Sequence, residues 1–283
     1  MKDSLMDKVK HVLGVSGGKD SAALAVYMRD NYPELDIEYF FTDTGKELEE
    51  VYTYLNYLEG YLGKPIQRIN PDRDFDFWLK QHNDYLPSPQ ARWCTIKMKL
   101  KPFQEWVQKF LDEGYEVHSY VAIRADEPYR TGYDSNDENL IIELPFRNDG
   151  IDKAGVMEIL ENSGLGLPEY YQWRTRSGCT FCFFQRKIEW VGLLEKHPEA
   201  FKEAMEYEKE ALAHQSPFTW SERESLEELS RPERIAQIKA DHEKRLEKMK
   251  KRIKVNPLRP DGEPELDMDD IYGVGKVCVM CHK

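Results

Sequence analysis

The residues best suited to chemistry in this chain fall into two sets. The first is Ser16-Gly17-Gly18-Lys19-Asp20-Ser21, a run with a cation, a carboxylate and two hydroxyls. Glycine lets backbone approach phosphate closely, a helix N-terminus offers unpaired N–H groups, and Lys19 adds a full positive charge. The run is not a Walker loop: only three residues separate Gly14 from Gly18-Lys19, and Asp20 stands where Ser or Thr is required. The bland alternative is a tight glycine turn between a strand and a helix. The second set is five cysteines: Cys94, the pair Cys179/Cys182 and the pair Cys278/Cys281. A Cys-x-x-Cys turn points two thiolates at one ion. A lone cysteine is more often an inert buried hydrophobe, and a lone pair more often means zinc.

These groups need elements to position them. Lys10–Val15 reads as a buried strand that runs into the glycines and then into an Ala/Leu helix from about Ser21 to Arg29. Ile37–Thr42 is a second strand, and Leu48, Val51, Tyr52 and Leu55 recur three and four apart as a helical stripe. Ile66–Ile69 and Glu116–Ile123 read as the third and fourth strands. Strands alternating with helices predict βαβ crossovers and a doubly wound, mostly parallel α/β sheet. The stretch Asp72–Phe103, rich in Pro and aromatics, is long enough to be functional rather than a connector. Beyond about Trp190 the chain turns highly charged, and Glu195–Leu212 and Pro232–Val255 read as helices packed on the sheet. We therefore expect one domain over residues 1–194 and a helical extension with a cysteine tail over 195–283.

A chain of 283 residues can bury one sizeable core with an appendage, and 40% hydrophobic content is ordinary for a globular protein. No run approaches the roughly eighteen apolar residues of a membrane span, and the first residues lack a signal-peptide core. Paired cysteines without such a signal point to metal or redox chemistry, and the expected location is the cytoplasm. A net charge of −12 gives a field that repels nucleic acid as a whole. Locally, Arg231–Lys254 holds ten Lys/Arg against four Asp/Glu, which reads first as a solvated helix face neutralised by the acidic Pro257–Asp270 segment.

The hexapeptide resembles the PP-loop of the adenine-nucleotide alpha-hydrolase superfamily, whose members cut ATP between the α and β phosphates. Phe41-Thr42-Asp43-Thr44-Gly45 and Val121-Ala122-Ile123-Arg124-Ala125-Asp126-Glu127 are similar to later motifs of its PAPS-reductase branch. All three motifs fall at carboxyl ends of strands, where open α/β sheets gather ligands. The resemblance covers roughly Lys10–Glu195 and is most specific at the loop. It implies that Ser16, Gly17, Gly18, Lys19 and Ser21 hold phosphates, that Asp20 orients the loop or a Mg²⁺ ion, that Asp43 sits near ribose or adenine, and that Arg124 approaches the α-phosphate or the substrate. For Asp43 a strand-end cap stays open as the alternative, and for Arg124 a surface ion pair with Asp126 or Glu127.

Cys94, lying before Lys101-Pro102-Phe103, together with Gly178-Cys179-x-x-Cys182, resembles the iron–sulfur members of that branch. The resemblance implies a [4Fe–4S] cluster on Cys94, Cys179 and Cys182, with zinc as the alternative. Trp93 stands where adenylyl-sulfate reductases carry an adjacent cysteine, so Cys281, Cys278, the substrate or nothing supplies a fourth ligand. The reductase tail, Glu-Cys-Gly-Leu/Ile-His, is matched here only by Cys281-His282.

The leading expectation is an ATP pyrophosphatase that adenylates a substrate for sulfur incorporation, with a cysteine desulfurase as partner. Its resemblance is to the ATP pyrophosphatases of Dnd/Ssp-type DNA phosphorothioation systems. A PAPS or adenylyl-sulfate reductase is the alternative, a tRNA thiolation enzyme the second alternative, and a scaffold subunit with an idle nucleotide site the bland one. DNA, tRNA and a small molecule all stay open as acceptor.

Overall fold

The structure is a computed structural model that describes residues 8–132, 135, 137–214, 219–221 and 223–254. Cys278, Cys281, His282 and the acidic Pro257–Asp270 segment, all part of the expected C-terminal tail, lie outside the described residues.

Five strands form one sheet: β1 (Val9–Gly14), β2 (Ile37–Thr42), β3 (Ile66–Ile69), β4 (Glu116–Tyr120) and β5 (Leu140–Glu143), in the spatial order β3-β2-β1-β4-β5. Every pairing is parallel, with Leu13 opposite Tyr39 on one side and opposite Tyr120 on the other. The sequence reading reached four of these strands. The fifth, Leu140-Ile141-Ile142-Glu143, is too short to be separated from a buried loop by periodicity, and its pairing with β4 makes it a strand.

The helices are α1 (Lys19–Asn31), α2 (Glu49–Leu62), α3 (Phe75–Gln81), α4 (Trp93–Thr95), α5 (Lys101–Asp112), α6 (Pro145–Asn148), α7 (Lys153–Asn162), α8 (Lys187–Lys196), α9 (Pro198–Ala213), α10 (Leu226–Leu229) and α11 (Pro232–Lys254). A π-helical turn, Ile96–Leu100, joins α4 to α5. Alternation along the strands divides the core. Val12, Phe40 and Val117 face Phe103 and Val107 of α5, whereas Leu13, Tyr39, Phe41 and Tyr120 belong to the larger core with α1, α2 and α7. Helices therefore cover both faces, which is the doubly wound arrangement, with β1 at the point where the chain reverses its order of strand addition.

The charged helices do pack on this body. The expected boundary between residues 194 and 195 falls inside α8, and Trp190, Val191 and Leu193 share one core with Phe201, Ala204 and Trp220 beyond it. Pro198 starts α9 at a position where its missing N–H costs nothing, so the charged run divides at His197. Among the described residues no helix is long and apolar enough to cross a membrane.

Candidate functional site

The phosphate-binding candidate forms where β1 ends at the switch point of the sheet. Gly17 takes φ +71°, and a Cβ built there would lie 2.7 Å from Val51 Cγ1, so both backbone conformation and space demand glycine. Helix α1 starts at Lys19, two residues earlier than its apolar pattern indicates, which puts Lys19 and Asp20 in its first turn. The hydroxyls organise the turn itself. Ser177 Oγ donates to Ser16 Oγ at 3.1 Å, Ser16 Oγ lies 3.1 Å from Ser21 Oγ, and Ser21 Oγ donates to the Gly18 carbonyl at 3.1 Å. Ser21 also accepts the Ser16 N–H at 3.0 Å. Its hydroxyl is thus engaged inside the loop, whereas the resemblance had it on phosphate.

Lys19, Asp20 and Arg124 form one buried charge group, each no more than 2% exposed. Asp20 Oδ2 accepts from Lys19 Nζ at 2.8 Å and Oδ1 accepts from Arg124 Nη1 at 2.9 Å. Arg124 also donates to both Asp126 oxygens, from Nε at 2.8 Å and from Nη2 at 3.0 Å. Hydrogen bonds to Asp126 and the nearby Asp20 and Glu127 charges outweigh burial and hold this guanidinium protonated. Arg124 therefore meets Asp126 as the bland reading has it, but in the interior and joined to the loop. Both Asp20 oxygens rest on cations, which is the geometry of an orienting role.

Asp43 stands at the end of β2, and its Oδ1 accepts from the Gly45 N–H and from Tyr52 OH, each at 2.8 Å. This is an Asx-type turn cap. Arg68 approaches Asp43 Oδ2 at 3.7 Å and lies over the Tyr52 ring, 5.2 Å from its centroid. Burial, then the hydrogen bond to Asp43, pushes the Tyr52 phenol well above its usual range, so it stays a donor.

The three described cysteines line one small cavity, about 40 Å³, with Thr44, Met98, Lys99, Arg176 and three phenylalanines among its walls. Cys179 pairs with the loop after β2: Thr180 N donates to the Lys46 carbonyl at 2.7 Å, and Thr44 Oγ1 lies 3.2 Å from Cys179 Sγ. Burial, then the Glu47 carboxylate beside it, pushes the Cys179 thiol far above the ordinary thiol range. A thiolate there needs a cation as company, which a bound metal supplies. The donor set suits a thiolate-ligated group, although among the described residues no three His, Cys, Asp or Glu side chains close around a metal position.

Sequence reasoning missed several participants. Tyr170 OH donates to the Gly17 carbonyl at 2.7 Å, and Tyr171 OH accepts the Lys19 N–H at 3.1 Å, so two adjacent tyrosines hold the loop. Arg174, fully buried, donates from Nη2 to the Cys179 carbonyl at 2.7 Å. Glu47 meets Thr44 at 3.1 Å and Lys99 at 3.7 Å. A Cβ at Gly18 would lie 2.9 Å from Ser177 Oγ, so a side chain there would displace that hydroxyl. For Arg174 and Ser177 the sequence signal was closeness to Cys179; Glu47 lies 132 residues away from it.

A doubly wound sheet with a strand–glycine loop–helix unit at its switch point is an α/β arrangement in which ligands gather at the carboxyl ends of the strands. The residues from Lys10 to Thr131 match the phosphoadenosine phosphosulfate reductase domain. An uncharacterized protein of Methanocaldococcus jannaschii is 34% identical over 127 residues, 44% of this chain and 25% of the relative. A second from the same organism is 24% identical over 191 residues, 66% of this chain and 44% of the relative. The match thus spans less than half the length of either archaeal relative. An uncharacterized protein of Escherichia phage 186 is 26% identical over 253 residues, 70% of this chain and 74% of that one. Among solved structures, the chain is similar to the PAPS reductase from Candida auris in its phosphate complex, at TM-score 0.47 and 13% identity over 62% of this chain and 84% of that one. It is also similar to the U34-tRNA thiolase NcsA from Methanococcus maripaludis with its [4Fe-4S] cluster, at TM-score 0.38 and 12% identity over 76% of this chain and 73% of that one.

Proposed function

We propose that this protein is an ATP pyrophosphatase that adenylates an acceptor for sulfur incorporation, with thiols and nucleotide at one site. The observation that carries this reading is the Ser177–Ser16 hydrogen bond of 3.1 Å. It joins the phosphate loop to the segment Ser177-Gly178-Cys179, so the two sets of reactive residues are neighbours rather than separate features. An acceptor oxygen attacks the α-phosphate of ATP, the bond to the β-phosphate breaks, and pyrophosphate leaves against Lys19 and the N–H groups opening α1. The outer sulfur of a donor persulfide then displaces AMP from the adenylated acceptor, and a second thiol cleaves the remaining S–S bond, ending as a disulfide with the donor cysteine. Tyr171 would yield the Lys19 N–H to phosphate, and Asp20 would return Lys19 Nζ to the incoming charge. Cys94, Cys179 and Cys182 would hold an iron–sulfur cluster, with zinc as the alternative; bound there, such a cluster supplies a soft centre at which sulfur is delivered. We take DNA as acceptor and a cysteine desulfurase as donor, following the resemblance to phosphorothioation enzymes, with tRNA as the other nucleic acid acceptor.

The match of residues 10–131 to the PAPS reductase domain favours a second reading, reduction of a finished sulfonucleotide. Product analysis separates the two. Incubation with ATP and acceptor yields AMP and pyrophosphate under the first reading. Incubation with PAPS and a thiol reductant yields sulfite under the second. Lys19→Ala lowers pyrophosphate release by about 100-fold or more, the scale for removing one donor from developing charge. Wild-type turnover in Lys19→Ala would remove the assignment.

A further inference from the structure

Two arginines share one aromatic ring at the wall of the cysteine cavity. The Arg92 guanidinium lies 5.6 Å from the Phe184 centroid, and that of Arg176 lies 5.7 Å from the same centroid. Arg176 is only 6% exposed and lines the cavity with Cys94, Cys179 and Cys182. Its Nε is buried without a hydrogen-bond partner, and so are Nε and Nη2 of Arg92. Burying a cation whose N–H groups are unmatched is costly, and such groups normally gain a counter-charge. The acid beside the thiols, Glu47, meets Lys99 through Oε1 at 3.7 Å, and among the described residues no ion pair joins it to either arginine.

Stacking on Phe184 keeps both guanidinium planes in place, and a planar fork of N–H donors matches a tetrahedral oxyanion with two parallel hydrogen bonds. Position adds to the chemistry. Arg176 directly precedes Ser177, which bonds to the phosphate loop, and Arg92 lies two residues before Cys94. Arg176 thus lies beside the thiols on a segment that touches the loop, and Arg92 meets it at Phe184, while the loop would hold phosphates with other residues.

We propose that Arg92 and Arg176, clamped by Phe184, form an oxyanion subsite beside the cysteines and distinct from the phosphate loop. Its ligand is a phosphate or sulfo group on the second substrate, presented to the thiols while nucleotide occupies the loop. This rests on the reading above for the word substrate, and on the arginines themselves for the site.

The test is thermal unfolding of the full chain, of measured metal content, titrated with sulfate against chloride at constant ionic strength. Wild type gains stability with sulfate, and so does Lys19→Ala, whose loop is disabled. In Arg176→Met the affinity for sulfate falls about tenfold or more, as expected for loss of a bidentate charge-assisted contact. Without sulfate, Arg176→Met melts at or above wild type, because an unmatched buried cation has gone. An arginine with a purely structural role would do the reverse. Phe184→Leu releases the clamp without removing charge and also weakens sulfate, which covers the case in which Arg176→Met fails to fold. A short oligonucleotide that competes with sulfate marks a phosphodiester as the source of the anion; one that does not compete marks a small-molecule oxyanion. A Lys19→Ala protein with no sulfate response overturns the subsite while leaving the pyrophosphatase reading intact. Arg176→Met that keeps the response and melts lower overturns it as well. A response confined to metal-free protein does too, since the arginines would then serve a thiol-bound group.

Discussion

Arg124, from the loop after β4, donates through Nη1 to Asp20 Oδ1 at 2.9 Å, and through that carboxylate reaches Lys19. Three charges are thereby buried across the switch point of the sheet, joined to one another and, through Arg124, to Asp126 and Glu127. Removing one member leaves an uncompensated charge in the interior. Asp20→Asn should lower unfolding free energy by about 3–5 kcal/mol, the usual cost of breaking a buried pair. Asp20→Asn combined with Arg124→Met should regain much of that stability and remain inactive. Urea denaturation of both variants checks it. Equal destabilisation of the double variant would show that the network is held by something other than charge.

Gly17 supports the loop by conformation rather than chemistry. Alanine at φ +71° costs about 1–2 kcal/mol for the left-handed backbone, and contact with Val51 Cγ1 adds to this. Gly17→Ala should therefore lower both stability and nucleotide affinity. Val51→Ala in the same background should restore only the part due to contact. Full restoration would place all of the strain in the side-chain clash.

Stability should fall with acid through His11 on β1. Burial, then the neighbouring His118, lowers the folded-state pKa of His11 below its ordinary 6.5, while Glu143 and Asp36 pull the other way. The unfolded chain therefore takes up the proton first. This contribution is complete above pH 6.5 and is lost as pH falls through the folded value. His82 is lowered likewise, by burial and Lys97, and adds a slope of the same sign. His11→Gln should give a shallower decline of unfolding free energy between about pH 7 and pH 5. An unchanged slope would exclude His11 as a source.

The cysteine cavity makes a spectroscopic prediction. Anaerobically prepared protein should be brown with a visible thiolate-to-iron band, and Cys179→Ala should lose the colour while the near-ultraviolet circular dichroism of the fold persists. Colourless protein with stoichiometric zinc would select the other thiolate-bound metal.

The parts of this protein that rest on local physics were legible in its residues. Val12-Leu13 running into Gly17-Gly18 and then Ala22-Ala23-Leu24 spells strand, turn and helix within about fifteen residues, because periodicity and glycine act over neighbours alone. The α/β class followed, and with it the end of the sheet at which Lys19, Asp43 and Arg124 lie. Element ends were less legible: the apolar stripe of α1 begins at Ser21, but free N–H groups and the acidic Asp20 extend the first turn back to Lys19. Only the tertiary structure could bring Ser177 to Ser16 across 161 residues, or set Tyr170 and Tyr171 against the loop. The same holds for the burial of Arg124. Its motif is equally compatible with a surface pair to Asp126, and it becomes an interior clamp because β4 pairs beside β1 and carries it over Asp20. Such contacts depend on which strand lies next to which, and neither residue of a distant pair carries a mark of its partner.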